Sequence, residues 1–518
     1  MKQREREQEQ IAFNELFQSV LHNGKLMFAG RLLQRAAQQH GNTIALIYQD
    51  QRITYKKLYA MACALSIKIM QENNLKPRDR GIICFENSPE FYIAYFALWQ
   101  AGIIVVPVNT FLKEKELAHI INDAQPSIIM TSSDRVELFQ KTGVSLPLIL
   151  TEQDMGDGEE LIDTDDRIVD LAPDELAALL YTSGTTGLPK GVMLSSKNIM
   201  TNVLQVASLV GRSAEERILG VLPLFHSFAQ NTCIWASVFY GITIILVAKI
   251  DRRYILEALY HKPTVFLGVP ALYGLICLMK TAPIETVRIF VCGGDALPDK
   301  IRAAFGLIYR RKLVNGYGLT ETSPVISANL DDELVSASNV GRPLVGIACA
   351  IRDENGIDLS QGSIGVLWVK GENVMLGYYQ VPELTNQVLK DGWFNTGDLA
   401  YLDSHGRIVI TGRQKDLIIN KGFNIYPQEI ENIILLYPNA LRVAVIGRVD
   451  DDGEVPIAFV QLRSLDNNVE KKLRTLCIQH LASYKVPRQF FCDTKELPMT
   501  ATGKIDKKIL RTQIDEKI

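Results

Sequence analysis

Leu176 to Leu194 reads LAALLYTSGTTGLPKGVML. An apolar run, LAALLY, enters a loop made of Thr182, Ser183, Gly184, Thr185, Thr186 and Gly187, followed by Lys190. GVML then leads out into SSKN and an apolar helical pattern. Small residues let the main chain approach a ligand closely, so such a loop can turn N–H groups and hydroxyls around a polyphosphate while the lysine neutralises charge. No GK[ST] ends it and no helix opens on the lysine, so it is not a Walker loop. Taken alone, the run also reads as an ordinary surface turn.

Outward from this stretch the chain alternates short β-rich runs with helical patterns. GIICFE, IIVVPV and PSIIMTS precede the loop, separated by SPEFYIAYFALWQAG and EKELAHIINDA; ITIILVA, PTVFLGV, ETVRIFVCGG and KLVNGYG follow it. Strands that alternate with helices make a parallel sheet covered on both faces, with function at the loops beyond the strands' carboxyl ends. Between Leu32 and Met70 the text reads helix, hairpin (IALIYQDQRITY, with a DQ turn), helix. After about Val340 the texture changes to turn-punctuated strands such as GSIGVLWVKGENVMLGYY and AYLDSHGRIVITGR, which predict a small β-lobe. The expected fold class is therefore α/β. It has a large N-terminal domain, residues 1–412, of two stacked β/α layers plus the β-lobe, and a small mobile α+β domain, residues 413–518. The boundary is placed in the charged segment GRQKDLI.

Composition narrows the function. At 518 residues the chain exceeds one ordinary core, and 47% apolar with 22% charged residues describes a globular protein. A net charge of −3 argues against non-specific nucleic-acid binding. Eight Cys without a CxxC pair read as reduced thiols, implying neither disulfides nor zinc and a cytoplasmic setting. The leading MKQREREQEQ lacks a signal peptide's apolar core and is expected to be a frayed helical lead. Apolar stretches are too broken to span a bilayer, which leaves at most peripheral membrane contact.

Further strings carry chemistry. NGYGLTETSP, Asn315 to Pro324, offers an aromatic face, a hydroxyl and a carboxylate in one loop; alone it is also a plain polar turn. In GWFNTGDL, Gly392 to Leu399, Asp398 suits two vicinal hydroxyls, or is an Asx-type turn. GRQKD carries Arg413 and Lys415, CGGDALP carries Gly294, Asp295 and Ala296, and LPMTATGKIDKKIL carries Lys504, which alone reads as a solvated lysine.

With these strings in this order, nearly the whole chain from Leu32 to Leu510 resembles the adenylate-forming superfamily of acyl-CoA synthetases, luciferases and peptide-synthetase adenylation domains, and looks most like the fatty acyl-CoA synthetases. The resemblance implies that the Thr182–Gly187 loop and Lys190 hold ATP phosphates and that Gly294, Asp295 and Ala296 border adenine. It places Tyr317 against adenine, Thr320 on the α-phosphate, Glu321 on Mg²⁺, and Asp398 with Arg413 on the ribose. Lys415 becomes an interdomain pivot, Lys504 the bridge between the attacking carboxylate and the α-phosphate, and Lys421, Gly422, Phe423 and Asn424 the thiol-acceptor loop. ATP, Mg²⁺ and coenzyme A are the implied cofactors, with the phosphopantetheine of an acyl carrier protein as alternative acceptor. A non-catalytic nucleotide- or lipid-binding relative and a luciferase-like oxidase are the other readings.

Amino-acid-activating relatives carry an Asp in a string matching PLFHSFAQ, Pro223 to Gln230; here His226 stands and no acid, so an ammonium substrate is disfavoured. His226 joins the catalytic candidates. Phe228, Ile234, Trp235, Phe266, Val269, Pro270 and Tyr273 are candidates for an acyl pocket, and are equally what a core would bury. Three positions depart from the family pattern: Ser196 for a His, Val366 for a Glu, and Asp295 for a small residue.

Overall fold

The computed structural model describes residues 11–516 apart from 12, 16, 19–20, 23–24, 73–74, 157–167, 184–188, 212, 331–335, 421–422, 451–452, 466 and 500–504. Two sheets form the body. One runs in the order Gly377–Tyr378, Pro189–Ser195, Leu176–Ser183, Ile104–Pro107, Arg80–Cys84, Ile128–Thr131, Leu148–Leu150. The other runs Arg342–Pro343, Val325–Ala328, Leu313–Gly318, Ile289–Cys292, Val265–Gly268, Arg217–Gly220, Thr243–Leu246, Ile44–Tyr48, Gln51–Thr54. The inner strands of both pair in parallel; antiparallel strands close both ends of the second sheet and one end of the first, whose other end, Leu148–Leu150, is parallel. Ile104–Pro107, Thr243–Leu246 and Val265–Gly268 are buried at every residue, as parallel strands with both faces covered must be.

Two helical segments, buried except at Glu90 and Phe228, join these layers. Pro89–Gln100, opened by Pro at its first turn, sends Trp99 Nε1 to Ala177 O at 2.9 Å. Ser227–Tyr240 is helical, but its centre, Gln230–Ala236, is a π-helix. The wider turn misaligns carbonyls, and buried hydroxyls meet them: Tyr92 Oη donates to Cys233 O at 2.7 Å, Ser237 Oγ donates to the same oxygen, and Tyr55 Oη donates to Ser237 O at 3.1 Å. The hairpin near the start turns one residue earlier than the sequence suggests. Tyr48 pairs with Gln51, so Gln49 and Asp50 make the turn, and Gln49 takes φ 54°.

The β-lobe follows in the order Ala348–Arg352, Gly365–Lys370, Trp393–Leu402, Leu389–Lys390, with Ile408–Arg413 also on Trp393–Leu402. That last pairing continues to Arg413 opposite Asp398. The next strand, Ile418–Asn420, belongs to a separate small sheet with Phe423–Ile425, Gly453–Leu462, Ala440–Asp450 and Gln489–Asp493. Sheet membership thus changes across residues 414–417. Helices Pro427–Ile434 and Val469–His480 and helix Lys507–Glu516 cover the small sheet, whose two apolar clusters draw their buried residues from Ile418 onward. The chain is an α/β protein with a large N-terminal part and a small C-terminal one.

Candidate active site

Thr182 and Lys190 are directly opposed on the antiparallel strands Leu176–Ser183 and Pro189–Ser195, with Ser183 opposite Pro189. Gly184, Thr185, Thr186 and Gly187 lie outside the described residues, as does the side chain of Ser183. The hairpin is braced from below, where Tyr181 Oη donates to Asp123 Oδ2 at 2.5 Å. Lys190 stands with Nζ 4.9 Å from the centroid of the Tyr378 ring, a cation–π contact. Burial lowers its pKa, and the charge of Glu321 opposes that shift.

Tyr378 was not singled out in the sequence. Strand Gly377–Tyr378 is added to the outer edge of Pro189–Ser195, with Val192 opposite Tyr378. From there Tyr378 Oη donates to Glu321 Oε1 at 2.8 Å, and burial, then the carboxylate, raises the phenol's pKa. The preceding backbone is fixed to the same turn: Met375 N donates to Glu321 O at 2.9 Å and Asn373 Nδ2 to Thr322 O at 2.8 Å. The GENVMLGYY segment therefore ties the Lys190 strand to the Glu321 turn. The aromatic pair in this string was the only sequence signal for it.

Thr320 and Glu321 open a single 3₁₀ turn, Thr320–Thr322, just past strand Leu313–Gly318. Thr320 Oγ1 lies 3.1 Å from Ser227 Oγ, which links the turn to the buried helix. On the other side, Tyr317 Oη donates to Asp398 Oδ2 at 2.5 Å and Arg413 Nε meets Asp398 Oδ1 at 3.1 Å. Burial first, and Asp398 second, push the Tyr317 phenol well above its ordinary pKa; Asp398 raises that of Arg413. Arg413 also feels Glu321. Three residues from strings up to about a hundred positions apart are thus joined by a hydrogen bond and an ion pair, and Asp398 pairs with Arg413 across two strands.

Near this group, Gly294 adopts φ +81°, with Val269 the nearest neighbour of a hypothetical Cβ at 3.6 Å. Asp295 accepts from Ala296 N at 2.9 Å. His226 accepts from Phe228 N at Nδ1, 3.2 Å, and caps Ser227–Ala229. The Phe228 ring lies 3.4 Å from where a Cβ on Gly293 would stand, so it borders the same loop. Phe228 and Val269 are half-buried, and Pro270 opens helix Pro270–Met279. The remaining apolar candidates fall to the core alternative here: Ile234, Trp235, Phe266 and Tyr273 are fully buried. Trp235 Nε1 donates to Tyr95 Oη at 3.0 Å, and Tyr273 Oη is 2.9 Å from both Phe266 O and Val291 O.

The departures have local reasons. Ser196 is buried and its Oγ accepts from Ala29 N at 3.1 Å. Val366 joins an apolar cluster with Trp368 and Leu399, with Arg352 opposite it on the neighbouring strand and stacked over Trp368. Lys415 lies in the short Gln414–Asp416 turn, its pKa lowered by burial and then by Arg413. Phe423 is exposed and stacks on Tyr484 at 4.9 Å; Lys421, Gly422 and Lys504 lie outside the described residues, as does the leading segment 1–10.

A magnesium ion fits this donor set. Among the described residues no three Asp, Glu, His or Cys side chains cluster, and Glu321 offers one carboxylate beside Lys190. One carboxylate plus nucleotide phosphates is how Mg²⁺ is usually held, with water completing its shell.

Comparison with known proteins agrees with this geometry. The model of the AMP-binding enzyme family matches residues 33–379, and that of the AMP-binding enzyme C-terminal domain matches 429–504. The long-chain-fatty-acid–CoA ligase of Bacillus subtilis is 32% identical, over 92% of each chain. The 2-succinylbenzoate–CoA ligase of Bacillus velezensis is also 32% identical, over 92% of this chain and 96% of that one. A solved structure of the Bacillus subtilis o-succinylbenzoate coenzyme A synthetase with ATP and magnesium ion superposes with a TM-score of 0.83 at 28% identity, covering 93% and 99%. Residues from two sheets and a lobe gathered around one short loop, and family matches over most of the length, have one common reading: the chain belongs to the AMP-binding enzyme family, within the adenylate-forming superfamily of acid–CoA ligases.

Proposed function

We propose that the chain activates a fatty acid as its acyl-adenylate and passes the acyl group to the thiol of coenzyme A. The observation that carries this is the double use of one short loop. Tyr317 at its start binds Asp398 with Arg413, while Glu321 at its end binds Tyr378 beside Lys190. A nucleotide with its base and ribose toward the first group has its phosphates toward the second.

A carboxylate is a poor acyl donor because it is anionic and lacks a good leaving group. In the first step its oxygen bonds to the α-phosphorus of ATP, and the bond to pyrophosphate breaks. Lys190 and Thr182 orient the phosphates, Thr320 faces the α-phosphate, and Lys504 neutralises charge on the pentavalent phosphorus. Bound at Glu321, magnesium would neutralise phosphate charge. In the second step the thiol sulfur bonds to the acyl carbon, the bond to AMP breaks, and the thiol proton goes to solvent. Phe423 and its neighbours would line the thiol's approach, with rotation about Lys415 exchanging them for Lys504. Phe228, Val269 and Pro270 would flank the acyl chain. An apolar rather than amino-acid substrate is favoured by His226 standing in a string without an acid.

The test is AMP release across acids from acetate to stearate and succinylbenzoate, each with coenzyme A or an acyl carrier protein. Release that peaks with a fatty acid and coenzyme A is expected. A peak with the aromatic acid would replace the substrate, a peak with carrier protein the acceptor, and no release with any acid would sink the ligase reading.

A further inference from the structure

Three helices on the outer face of the second sheet, Arg252–Leu259, Pro270–Met279 and Asp299–Tyr309, each connect parallel strands of that sheet. A connecting helix must run back against its strands, so all three end at the strands' amino edge, away from the loops of the candidate site. There each leaves a large apolar side chain in water: Tyr260 is 75% exposed, Leu278 78% and Leu307 83%. The middle helix, PALYGLICLM, has no charged side chain at all, although Ala271 and Leu278 face outward. A helix apolar on every side is normally covered.

Each of the three ends is followed by exposed cations: Lys262, Lys280, and the run Arg310, Arg311, Lys312. Lys262, Lys280 and Arg310 have φ of 56°, 52° and 52°, where glycine is the easy residue. One cation per helix end suits the macrodipole, but a backbone strained to carry it at three neighbouring ends, beside exposed apolar groups, does not follow from that. The ends are joined: Arg217 Nη1 donates to His261 O at 3.0 Å, Thr286 Oγ1 to Pro263 O at 2.7 Å, and Tyr309 Oη, at the end of the third helix, to Ile276 O of the second at 2.7 Å. Opposing charges at this edge are Glu216, paired with Arg288 at 2.6 Å, and the exposed Glu215 and Glu285.

We infer that this edge is a docking surface for an anionic lipid bilayer. Exposed Leu and Tyr side chains reach the boundary between headgroups and acyl chains, and the cations meet the anionic headgroups. A second copy of the chain would bring the cations against each other. A nucleic acid would leave Leu278 and Leu307 with nothing apolar to cover them. The catalytic loops, at the opposite edge of the sheet, stay open when the surface docks.

The test is co-sedimentation of the full chain with vesicles of phosphatidylcholine, alone or mixed with phosphatidylglycerol. Binding to the mixed vesicles that weakens with salt is expected. Leu278→Glu with Leu307→Glu should weaken it at least tenfold. Lys280→Gly should weaken it about fivefold, the share of one cation near an anionic surface, while leaving the melting temperature equal or higher because the strained φ is relieved. That opposite movement of binding and stability is one that a merely structural lysine would not produce. No binding to mixed vesicles, or binding unchanged in both variants, overturns the proposal. These readouts do not depend on which acid the enzyme activates.

Discussion

Glu321 owes its position to a residue that no motif pointed to. The hydroxyl of Tyr378 fixes one carboxylate oxygen at 2.8 Å, and the face of the same ring lies 4.9 Å from the Lys190 amine. Tyr378→Phe keeps the ring and removes the hydrogen bond, so the lysine contact survives while the carboxylate gains freedom. A hydrogen bond to a charged group contributes about 1.5–3 kcal/mol, so affinity for magnesium–ATP should fall roughly tenfold or more by titration calorimetry. Unchanged affinity would mean that Glu321 needs no such support. Asp398→Ala acts on the other side of the loop. It leaves the buried Tyr317 hydroxyl without its acceptor, which costs about 1–3 kcal/mol of stability in denaturant melts, and raises the KM for ATP at least tenfold if the ribose lies there. Tyr317 and Asp398 stand in strings whose residue types suit a nucleotide, and Arg413 was named through the family resemblance alone; the structure adds that the three side chains meet. Tyr378 was not legible, since its role comes from a two-residue edge strand whose pairing no local pattern announces.

At the level of elements, periodicity and turn residues located most strands and helices, and what they missed depended on tertiary partners. The π-helix within Ser227–Tyr240 is one such case: its extra residue is sustained by Tyr92 and Tyr55, which come from other helices. Trp235 is another, since an apolar side chain reads the same whether it lines a pocket or fills a core. The turn within AYLDSHGRIVITGR, at Ser404 to Gly406, was by contrast readable, and Asp403 governs it. Its Oδ1 accepts from His405 N and Arg407 N, both at 2.9 Å, and its Oδ2 accepts from Arg407 Nε at 2.6 Å. Partial burial would raise the carboxyl's pKa, but these hydrogen bonds outweigh it and hold it below the ordinary 3.8. A lowered native pKa means stability fully present above the unfolded value and lost as pH falls through the folded one. Asp403→Asn should therefore destabilise by about 1–2 kcal/mol at neutral pH, and the gap to the parent should close below pH 3.8. A gap that persisted in acid would assign the effect to shape rather than charge.

For the whole molecule, the decisive place is the passage between the β-lobe and the small sheet. Arg413 still pairs with Asp398 in the lobe, and Ile418 already belongs to the next sheet. Only the Gln414–Asp416 turn and Leu417 separate them, and Asp416 is held from the far end of the chain by Arg511 at 2.9 Å. The rotation proposed above, which would exchange Lys504 for the Phe423 loop, would be taken up over these residues, and their torsions rather than their side chains would then set its rate. Lys415→Pro fixes φ near −65°, which a 3₁₀ turn accepts, and removes the freedom to leave that turn. The variant should fold with a melting temperature close to the parent's. Its ATP–pyrophosphate exchange should stay within about threefold, while transfer of the acyl group from adenylate to coenzyme A slows more than about tenfold, if the second step alone needs the rotated arrangement. Single-turnover measurement of each half-reaction separates the two. Equal slowing of both would place the pivot elsewhere, and a Lys415→Ala control that behaves like the proline variant would make the lysine's charge, lowered in pKa by burial and then by Arg413, the operative feature instead of the backbone.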